Sequence, residues 1–315
     1  MGQEWTPNQR RVITELLDRD QDLVPRPTAS AISEEEIEGL REQLETGLAP
    51  MADGLGNSSL VITKYSLSAV FKCEGLWLAP DDFAWTVAKA RGTVIHKALQ
   101  ISMTGAWRDA QPMELVEGAI AGLRSADDSI SEFLLECGPA EMSDLESGCT
   151  AAVAAFASDF PALRPSMTPR IEAPVTVELC ARRIILKGRY DLALGNPSGD
   201  PIVILDLKTG GRYPEHADEM RYYALLETLR QRSAPHRIAS YYLDAGEFHA
   251  EDVTRDVLAS AMARTIEGIK RIAALGQRLR DADLTPGPHC TWCSALPDCQ
   301  TGERWMSERS QGGWQ

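Results

Sequence analysis

The sequence lacks any long hydrophobic run: nowhere do about 18 apolar residues follow one another, the length that a membrane-spanning helix needs. Met1 to Glu4 contain no basic segment leading into an apolar stretch, so no secretory signal is expected. The phosphate-binding motif G-x4-G-K-[ST] is also missing, so we expect no ATPase motor in the chain itself. These absences favour a cytoplasmic globular protein that makes no membrane contact.

Positive charge is scarce as well, with 32 basic against 46 acidic residues and a net charge of −14. The deficit is uneven: residues 1–60 hold 12 acidic and 5 basic side chains, whereas residues 180–280 hold 13 acidic and 16 basic ones. Because charges are screened over about 10 Å at 0.1 M salt, a basic region of an acidic protein still attracts phosphates. The net charge therefore does not exclude a nucleic-acid partner.

Two β-rich apolar runs, 184–194 and 202–207, contain the most informative polar residues. A break rich in glycine, proline and serine separates them, so they are predicted to pair as a hairpin. Asp191 lies near the end of the first run, and Asp206 lies near the end of the second, two residues before Lys208. Residues i and i+2 of a strand share a face, so Asp206 and Lys208 are expected side by side. Such charges suit a hard divalent cation with an activated water, and a structural ion pair is the alternative.

The N-terminal region is predicted to be an acidic helical extension over residues 1–59. Thr6-Pro7-Asn8-Gln9 has the residues of a capped helix start, and Ser33 with Glu36 repeats the capping-box pattern. The two helices are expected to end near residues 18 and 47. Glycine, asparagine and serine at 52–59 mark the boundary with the rest of the chain.

Residues 60–300 are predicted to form one α/β domain, followed by a tail over 301–315. The pattern is mainly helical over about 60–165, mixed over about 170–285, and turn-rich with cysteines over 286–300. The order of elements favours a central mixed β-sheet flanked by helices. Strands are predicted at 172–179, 184–194, 202–207 and 238–243, and the clearest helices at 88–102, 215–230 and 253–280.

Three cysteines near the C-terminal end have a metal-binding spacing. Cys290, Cys293 and Cys299 form C-x2-C-x5-C, in which one turn aims two thiolates at the same ion. The chain has seven cysteines and no expected secretory signal, so cysteine is read as a ligand or core residue. Zinc and an iron–sulfur cluster both suit four cysteines, and the spacing does not separate them. Candidates for the fourth ligand are Cys73, Cys137, Cys149, Cys180 and His289.

Five motifs that are weak alone become specific through their order along the chain. They are Ser66-Leu-Ser-Ala-Val-Phe-Lys-Cys73, Gly92-Thr-Val-Ile-His96, Gly188-Arg-Tyr-Asp191, Asp206-Leu-Lys208-Thr-Gly210 and Cys290-x2-Cys293-x5-Cys299. In this order the chain resembles the RecB-like nucleases of the PD-(D/E)XK superfamily, over roughly residues 60–300. Within them it is most similar to the iron–sulfur branch, which includes AddB-type nuclease domains and the exonucleases of CRISPR spacer acquisition. The resemblance implies a restriction-endonuclease-like fold with a C-terminal iron–sulfur staple.

The resemblance also implies a catalytic metal site. By it, His96, Asp191 and Asp206 bind Mg²⁺ or Mn²⁺ together with the backbone carbonyl of Leu207, and Lys208 orients or deprotonates the attacking water. A cation bound in this way supplies the activated water and the electrophile that phosphodiester hydrolysis needs. One imidazole among oxygen ligands makes Mn²⁺ as acceptable as Mg²⁺. Taken alone, His96 between apolar neighbours is also compatible with a buried core histidine.

A second implication is a 4Fe–4S cluster held by Cys73, Cys290, Cys293 and Cys299, which joins the start of the domain to its end. This selects Cys73 as the fourth ligand and leaves the other three cysteines as buried, small apolar residues. Trp292 lies between two of these ligands and is expected to shield the cluster.

The chain departs from the family on the helix after Lys208, where the family often has Gln-x-x-x-Tyr. Here the stretch is Glu219-Met-Arg-Tyr-Tyr223, and the glutamate adds negative charge near the phosphate path unless it pairs with Arg221 or Arg212. Tyr223, Arg212 and Arg221 are the expected DNA contacts. The basic residues of the helix predicted at 253–280 are read as a solvated face, with DNA contact as the alternative. Glu172 is expected to be an exposed edge residue rather than an outer acid of the metal site.

The expected function is that of a metal-dependent DNA nuclease, an exonuclease on single strands or DNA ends. The resemblance implies work in DNA repair, recombination, CRISPR adaptation or phage-related DNA processing. A helicase or another protein is the expected partner for any unwinding, since no motor motif occurs. Two other classes stay open: a nuclease-fold DNA-binding subunit of a larger complex with little activity, favoured only by Glu219, and a zinc-stapled interaction protein.

Overall fold

The computed structural model describes residues 4–26, 32–80, 83–104, 110–196 and 201–311. The chain forms two compact units, each built from three segments. The first contains Met1–Ser33, Ala84–Val175 and Arg189–Thr254, and the second contains Glu34–Phe83, Thr176–Gly188 and Arg255–Gln315. These interleaved segments do not correspond to the predicted boundaries at residues 59 and 300, which stay a prediction.

The described residues form helices and strands in mixed order. The helices are α1 Pro7–Arg11, α2 Glu34–Gly54, α3 Lys64–Lys72, α4 Glu74–Leu78, α5 Val87–Ser102, α6 Pro112–Arg124, α7 Ser129–Glu136, α8 Pro139–Asp159, α9 Glu215–Gln231, α10 Arg255–Gly276 and α11 Gln300–Gln311. The strands are β1 Leu60–Ile62, β2 Arg170–Leu179, β3 Ile184–Leu194, β4 Val203–Lys208, β5 Arg237–Tyr242 and β6 Glu247–Asp252. None of the described helices is long and apolar enough to cross a membrane.

Most of the predicted elements are found close to their predicted bounds. The Thr6 cap is present, since its hydroxyl accepts from Gln9 N and the Gln9 side chain accepts from Thr6 N. Three elements were missed for identifiable reasons: β1 has only three residues, while β6 and α11 are too polar to show an apolar pattern. The sequence also predicts a helix break near Gly105, and this position lies outside the described residues.

The first unit contains a mixed sheet that positions the site. The end of β3 runs antiparallel to β4, with Leu192 opposite Leu205, and this confirms the predicted hairpin. Strand β4 runs parallel to β5, and β5 runs antiparallel to β6. Apolar side chains of these strands join those of α5, α6 and α8 in one buried core. Burial of this apolar surface is what holds the sheet to its helices.

Gly195 directly follows the last residue of β3 and has a backbone conformation that needs glycine. Its φ is +108°, and a Cβ there would lie 2.3 Å from the carbonyl oxygen of Pro201. Its amide also donates to Met167 O at 2.8 Å. A side chain is therefore excluded both by the backbone conformation and by the space, so glycine fixes where the chain leaves β3.

The second unit pairs β1 in parallel with the start of β3, with Leu60 opposite Ile184. Helix α10 packs on α2 and α3. Gly268 of α10 allows close approach to α3, because a Cβ there would lie 2.5 Å from the Leu67 side chain and 3.1 Å from the Phe71 ring. The packing of these two helices therefore depends on a residue without a side chain.

Candidate active site

His96 is presented to the site by α5 of the first unit. Gly92 lies one turn earlier on the same helix face, and a Cβ there would lie 3.1 Å from Thr209 Oγ1, just beyond the end of β4. Arg91 holds the same two elements together: it donates to Thr209 O and makes two bonds of 2.5 and 3.1 Å to the Asp244 carboxylate. The glycine and the arginine therefore set the distance between α5 and the carboxylate strands.

Three potential metal ligands converge at this point. The His96 ring nitrogen Nδ1 lies 3.4 Å from Asp191 Oδ1 and 3.8 Å from Glu172 Oε1. One ligand atom from each residue falls within 4.8 Å of the others. One imidazole nitrogen and two carboxylates are a donor set that suits Mg²⁺ or Mn²⁺. The group contains two of the three side chains expected as ligands, His96 and Asp191, with Glu172 as the third member, and Asp206 is not part of it. The residues present fit a divalent cation.

Glu172 is part of this group because the backbone of β2 is irregular there. Its φ is +49°, in the left-handed region that side chains disfavour. From Pro174 to Leu179 exposed and buried residues alternate regularly, whereas the residues around Glu172 are all half-buried. The irregularity turns the carboxylate toward His96, so the expectation of an exposed edge residue is wrong. Backbone strain of this kind clusters at functional sites.

Asp206 and Lys208 lie on the neighbouring strand β4, with their side chains together as predicted. Lys208 Nζ is 2.6 Å from Asp206 Oδ2 and 2.8 Å from Glu219 Oε2 on α9. By the register of β3 and β4, Asp206 falls opposite Asp191, one position beyond the Leu192–Leu205 pair. Asp191 also accepts the Leu207 amide at 2.5 Å. Glu219 thus has Lys208 as a partner, whereas Arg221 and Arg212 were the partners considered from the sequence.

The electrostatics of the site follow from burial and crowding. Burial alone lowers the pKa of His96, but hydrogen bonds to Asp191 and Glu172 and the charges of Asp191 and Asp206 outweigh it and raise the pKa to about 10. Burial and the charge of Asp206 raise the pKa of Asp191, against the opposing pull of His96 and of the Leu207 amide. Without a metal, a proton on His96 therefore balances the carboxylates.

The predicted DNA contacts differ in how accessible they are. Tyr223 is 1% exposed and donates to Arg189 O at 2.5 Å, so its ring lies in the core and is not available for stacking on a base. Arg221 makes two bonds of 2.8 Å to Glu251 of β6, and Arg212 is exposed beside His249 at 3.4 Å. Of the three predicted contacts, Arg212 is the one on the open surface.

The cysteine motif lies in the second unit. The amide of Gly287 donates to Cys290 Sγ and that of Gly302 to Cys299 Sγ, both at 3.4 Å. A Cβ on Gly302 would lie 3.5 Å from both of these sulfurs. Because Gly302 has no side chain, space remains beside the two sulfurs, and we call this space the glycine cradle. All seven cysteines are free of disulfides. Among the described residues no three cysteine sulfurs lie within 4.8 Å of one another, and Cys290 and Cys299 are the two that share Gly302 as a neighbour. Thiols that accept from backbone amides are ligands that zinc and iron–sulfur clusters both use.

Cys73 lies in the same unit, and Nζ of its neighbour Lys72 is 6.0 Å from the ring centre of Trp292 in the cysteine motif. The next residue, Glu74, is 2% exposed and accepts from Arg280 at 2.5 and 2.6 Å and from the Asp283 amide at 2.8 Å. Hydrogen bonds from Arg280 lower the pKa of Glu74 despite its burial. Trp292 was expected to shield the cysteines, but it is 62% exposed. The ring faces solvent, so shielding does not explain it.

Two features of the site could not be read from the sequence. Glu172 could be considered as an outer acid of the metal site, but its meeting with His96 could not be predicted, because it depends on a left-handed residue inside a strand. Arg91 stands one residue before the glycine of the histidine motif, yet its partner Asp244 lies 153 positions away. Of these two residues, Arg91 lies directly beside a motif that the sequence does show, the one that runs from Gly92 to His96.

Comparison with protein families matches residues 66–300 to the family described as the PD-(D/E)XK nuclease superfamily. Among solved structures, the chain is similar to one described as a "putative exonuclease" from Eubacterium rectale, at 11% identity and a TM-score of 0.48, covering 87% of this chain and 95% of that one. It is also similar to the protein SSO0001, at 10% identity and a TM-score of 0.36, covering 84% and 96%. No curated protein sequence matches the chain.

Proposed function

The chain belongs to the PD-(D/E)XK nuclease superfamily, and from this and the site geometry we propose that it is a metal-dependent deoxyribonuclease, an exonuclease on single-stranded DNA or DNA ends. The observation that carries the proposal is the meeting of His96, Glu172 and Asp191 beside the Asp206–Lys208 pair. Cation ligands and an ammonium group side by side are what hydrolysis of a phosphodiester requires.

In this proposal each side chain has a distinct task. His96, Asp191, Asp206 and Glu172 would hold Mg²⁺ or Mn²⁺, with the Leu207 carbonyl as a further ligand. The bound cation supplies a Lewis acid and a water of lowered pKa. Lys208 lies at 2.6 Å from Asp206 and so is positioned to orient the attacking water and to balance charge on the phosphate. The attacking water loses a proton to solvent as its oxygen adds to phosphorus, the P–O bond to the leaving sugar oxygen breaks, and that oxygen takes a proton from solvent, which leaves a phosphate monoester and a free hydroxyl.

Cys73, Cys290, Cys293 and Cys299 are proposed to hold a structural 4Fe–4S cluster. Support comes from the amide–sulfur contacts at Cys290 and Cys299, and from the burial of Glu74 against Arg280 next to Cys73. Zinc suits the same thiols, and colour separates the two: anaerobically purified protein with a cluster is brown and absorbs broadly in the visible range, while zinc protein is colourless. Unwinding of duplex DNA is assigned to a helicase or other protein partner.

The test is digestion of end-labelled single- and double-stranded DNA with Mn²⁺ under anaerobic conditions. We expect shortening from one end of the single strand by wild-type protein and none by Asp206→Ala. Asp252→Ala, an exposed carboxylate of β6, is the matched control and should cut like wild type. Equal cutting by Asp206→Ala would assign the activity to a contaminant and end the nuclease proposal.

A second candidate is a nuclease-fold subunit that binds DNA and cuts it poorly. It is favoured by the contact of Lys208 with two carboxylates, Asp206 and Glu219, which offsets the positive charge available to a phosphate. The same digestion decides between the candidates, because this one predicts tight binding of DNA in EDTA with no cleavage by wild type in Mn²⁺. Glu219→Gln would then restore cutting.

A further inference from the structure

The second unit presents a surface in which basic side chains lie over aromatic rings. It is built from Tyr65, Phe71 and Lys72 of α3, Arg264 and Arg271 of α10, and Trp292, and we call it the aromatic–basic face. Tyr65 and Lys72 are two helical turns apart, so they lie on the same side of α3. The helix sequence Lys64–Lys72 contains no acidic residue, on a chain whose net charge is −14.

Each aromatic ring of the face has a cation above it. Phe71 contacts two guanidinium groups, with Arg264 Cζ at 3.8 Å and Arg271 Cζ at 4.9 Å from the ring centre. Lys72 Nζ is 6.0 Å from the Trp292 ring, and Lys64 Nζ is 5.3 Å from the Tyr65 ring. Arg271 also pairs with Glu267 at 2.9 Å, one turn earlier on α10. Stacking fixes where these charges point.

Two of the rings are open to solvent: Tyr65 is 72% exposed and Trp292 is 62% exposed. Neither ring contributes to a core, and Trp292 does not cover the cysteines. Large aromatic side chains exposed beside cations are the composition that recognises a partner with flat rings and negative charge.

We propose that the aromatic–basic face binds single-stranded DNA. Unstacked bases offer ring faces to Tyr65 and Trp292, and the phosphates between them offer acceptors to Lys72, Arg264 and Arg271. Duplex DNA has its bases stacked on each other, so its phosphates would contact the basic side chains and its bases would not stack on Tyr65 or Trp292. An acidic peptide would do the same. The inference rests on the proposed function only in taking DNA as the partner.

The test measures binding of a fluorescent 20-mer of thymidylate by anisotropy, in EDTA so that no cutting occurs. We expect Tyr65→Ala and Trp292→Ala each to weaken binding by about fivefold or more. Arg271→Gln should lower the salt dependence of log K by about 0.7 for each phosphate that the side chain neutralises in wild type. Trp305→Ala is the matched control, because Trp305 also has an arginine, Arg309, 5.3 Å above its ring in this unit. Melting curves and the visible spectrum verify that each variant is folded.

The outcomes separate the face from its rivals. Unchanged affinity in both Tyr65→Ala and Trp292→Ala overturns the proposal, as does an equal loss in Trp305→Ala. A duplex or a glutamate-rich peptide that loses affinity in the same two variants also overturns it in favour of a general anion surface. Cutting is assayed separately in Mn²⁺: if wild type cuts no DNA the proposed function fails, whatever the face binds.

Discussion

The two units hold their chemically active side chains in opposite ways. In the first unit charged groups hold each other, since His96 contacts Glu172 and Asp191 while Lys208 contacts Asp206 and Glu219. In the second unit the sulfurs of Cys290 and Cys299 are held by backbone amides and a glycine cradle. The metal site is thus arranged by its own charges, so a single change leaves a charge unbalanced. The thiols of the cysteine motif are positioned by turns of the backbone, so the stability of the motif depends on the metal or cluster that the sulfurs bind.

The largest effect is expected from breaking the cysteine motif. In Cys290→Ala we expect loss of most bound iron and a fall in Tm of about 10 °C or more, because the proposed cluster, which would join Cys73 to residues 290–299, loses a ligand. The measurements are iron content and anaerobic melting. Cys137→Ala, in the first unit, is the control and should keep its iron. A Cys290→Ala protein with full iron and unchanged Tm would rule out Cys290 as a ligand.

At the site around Asp206 and Lys208, we expect substitutions to lower the rate of DNA cleavage more than the stability of the fold. Lys208→Ala is expected to cut single-stranded DNA at least about a hundredfold more slowly, because charge at the reacting phosphate is no longer balanced. Its affinity for Mn²⁺ should stay or rise, since a positive charge next to Asp206 is removed. Rates of cleavage and Mn²⁺ titration by electron paramagnetic resonance measure the two effects. Lys187→Ala, an exposed lysine of β3, should change neither.

The protonation of His96 should make both the stability of the metal-free fold and its affinity for Mn²⁺ depend on pH. A pKa raised to about 10 stabilises the metal-free fold fully below pH 6.5, and this stabilisation is lost as the pH rises through about 10. Metal binding needs the neutral ring, so Mn²⁺ affinity should rise about tenfold per pH unit between pH 6 and 8. His96→Gln should flatten both dependences, and His236→Gln should flatten neither. A pH-independent affinity in wild type would show that His96 does not release a proton to solvent when the metal binds.

The smallest effect concerns the backbone at Glu172. Glu172→Gly and Glu172→Ala both remove the carboxylate and should weaken Mn²⁺ binding alike. In urea unfolding the glycine variant should be more stable than the alanine variant by about 1 kcal/mol, because φ is +49° there. At Glu178, which has the ordinary conformation of β2, the order should reverse. Equal stability of the two variants at residue 172 would mean that no strain is stored there.

How far the sequence predicts the molecule depends on the range of the interactions concerned. Strand β3 was predicted to the residue because its β-branched run and the break after it are local signals. Strand β6, Glu247-Phe-His-Ala-Glu-Asp252, has no apolar pattern, and its pairing with β5 is decided by the sheet rather than by its own residues.

The same distinction applies to the site. His96, Asp191 and Asp206 are marked by motifs of four or five residues, so their candidacy could be read from spacing. Glu172 and the partner of Glu219 could not, because each depends on where a distant strand or helix puts a carboxylate. Tyr223 was misread as accessible because an i+4 spacing says nothing about which side of α9 is buried.

The interleaving of the two units has a consequence for synthesis on the ribosome. The first unit has all its segments once Thr254 has been made, whereas the second needs residues 255 onward, including Cys290, Cys293 and Cys299. At about 5–20 residues per second, the chain takes several more seconds to reach Cys299. During that interval Glu74 lacks its partner Arg280, and Cys73 lacks Cys290, Cys293 and Cys299, its proposed fellow ligands. Binding of the proposed cluster would thus be confined to the end of translation, when all segments of the first unit have been made.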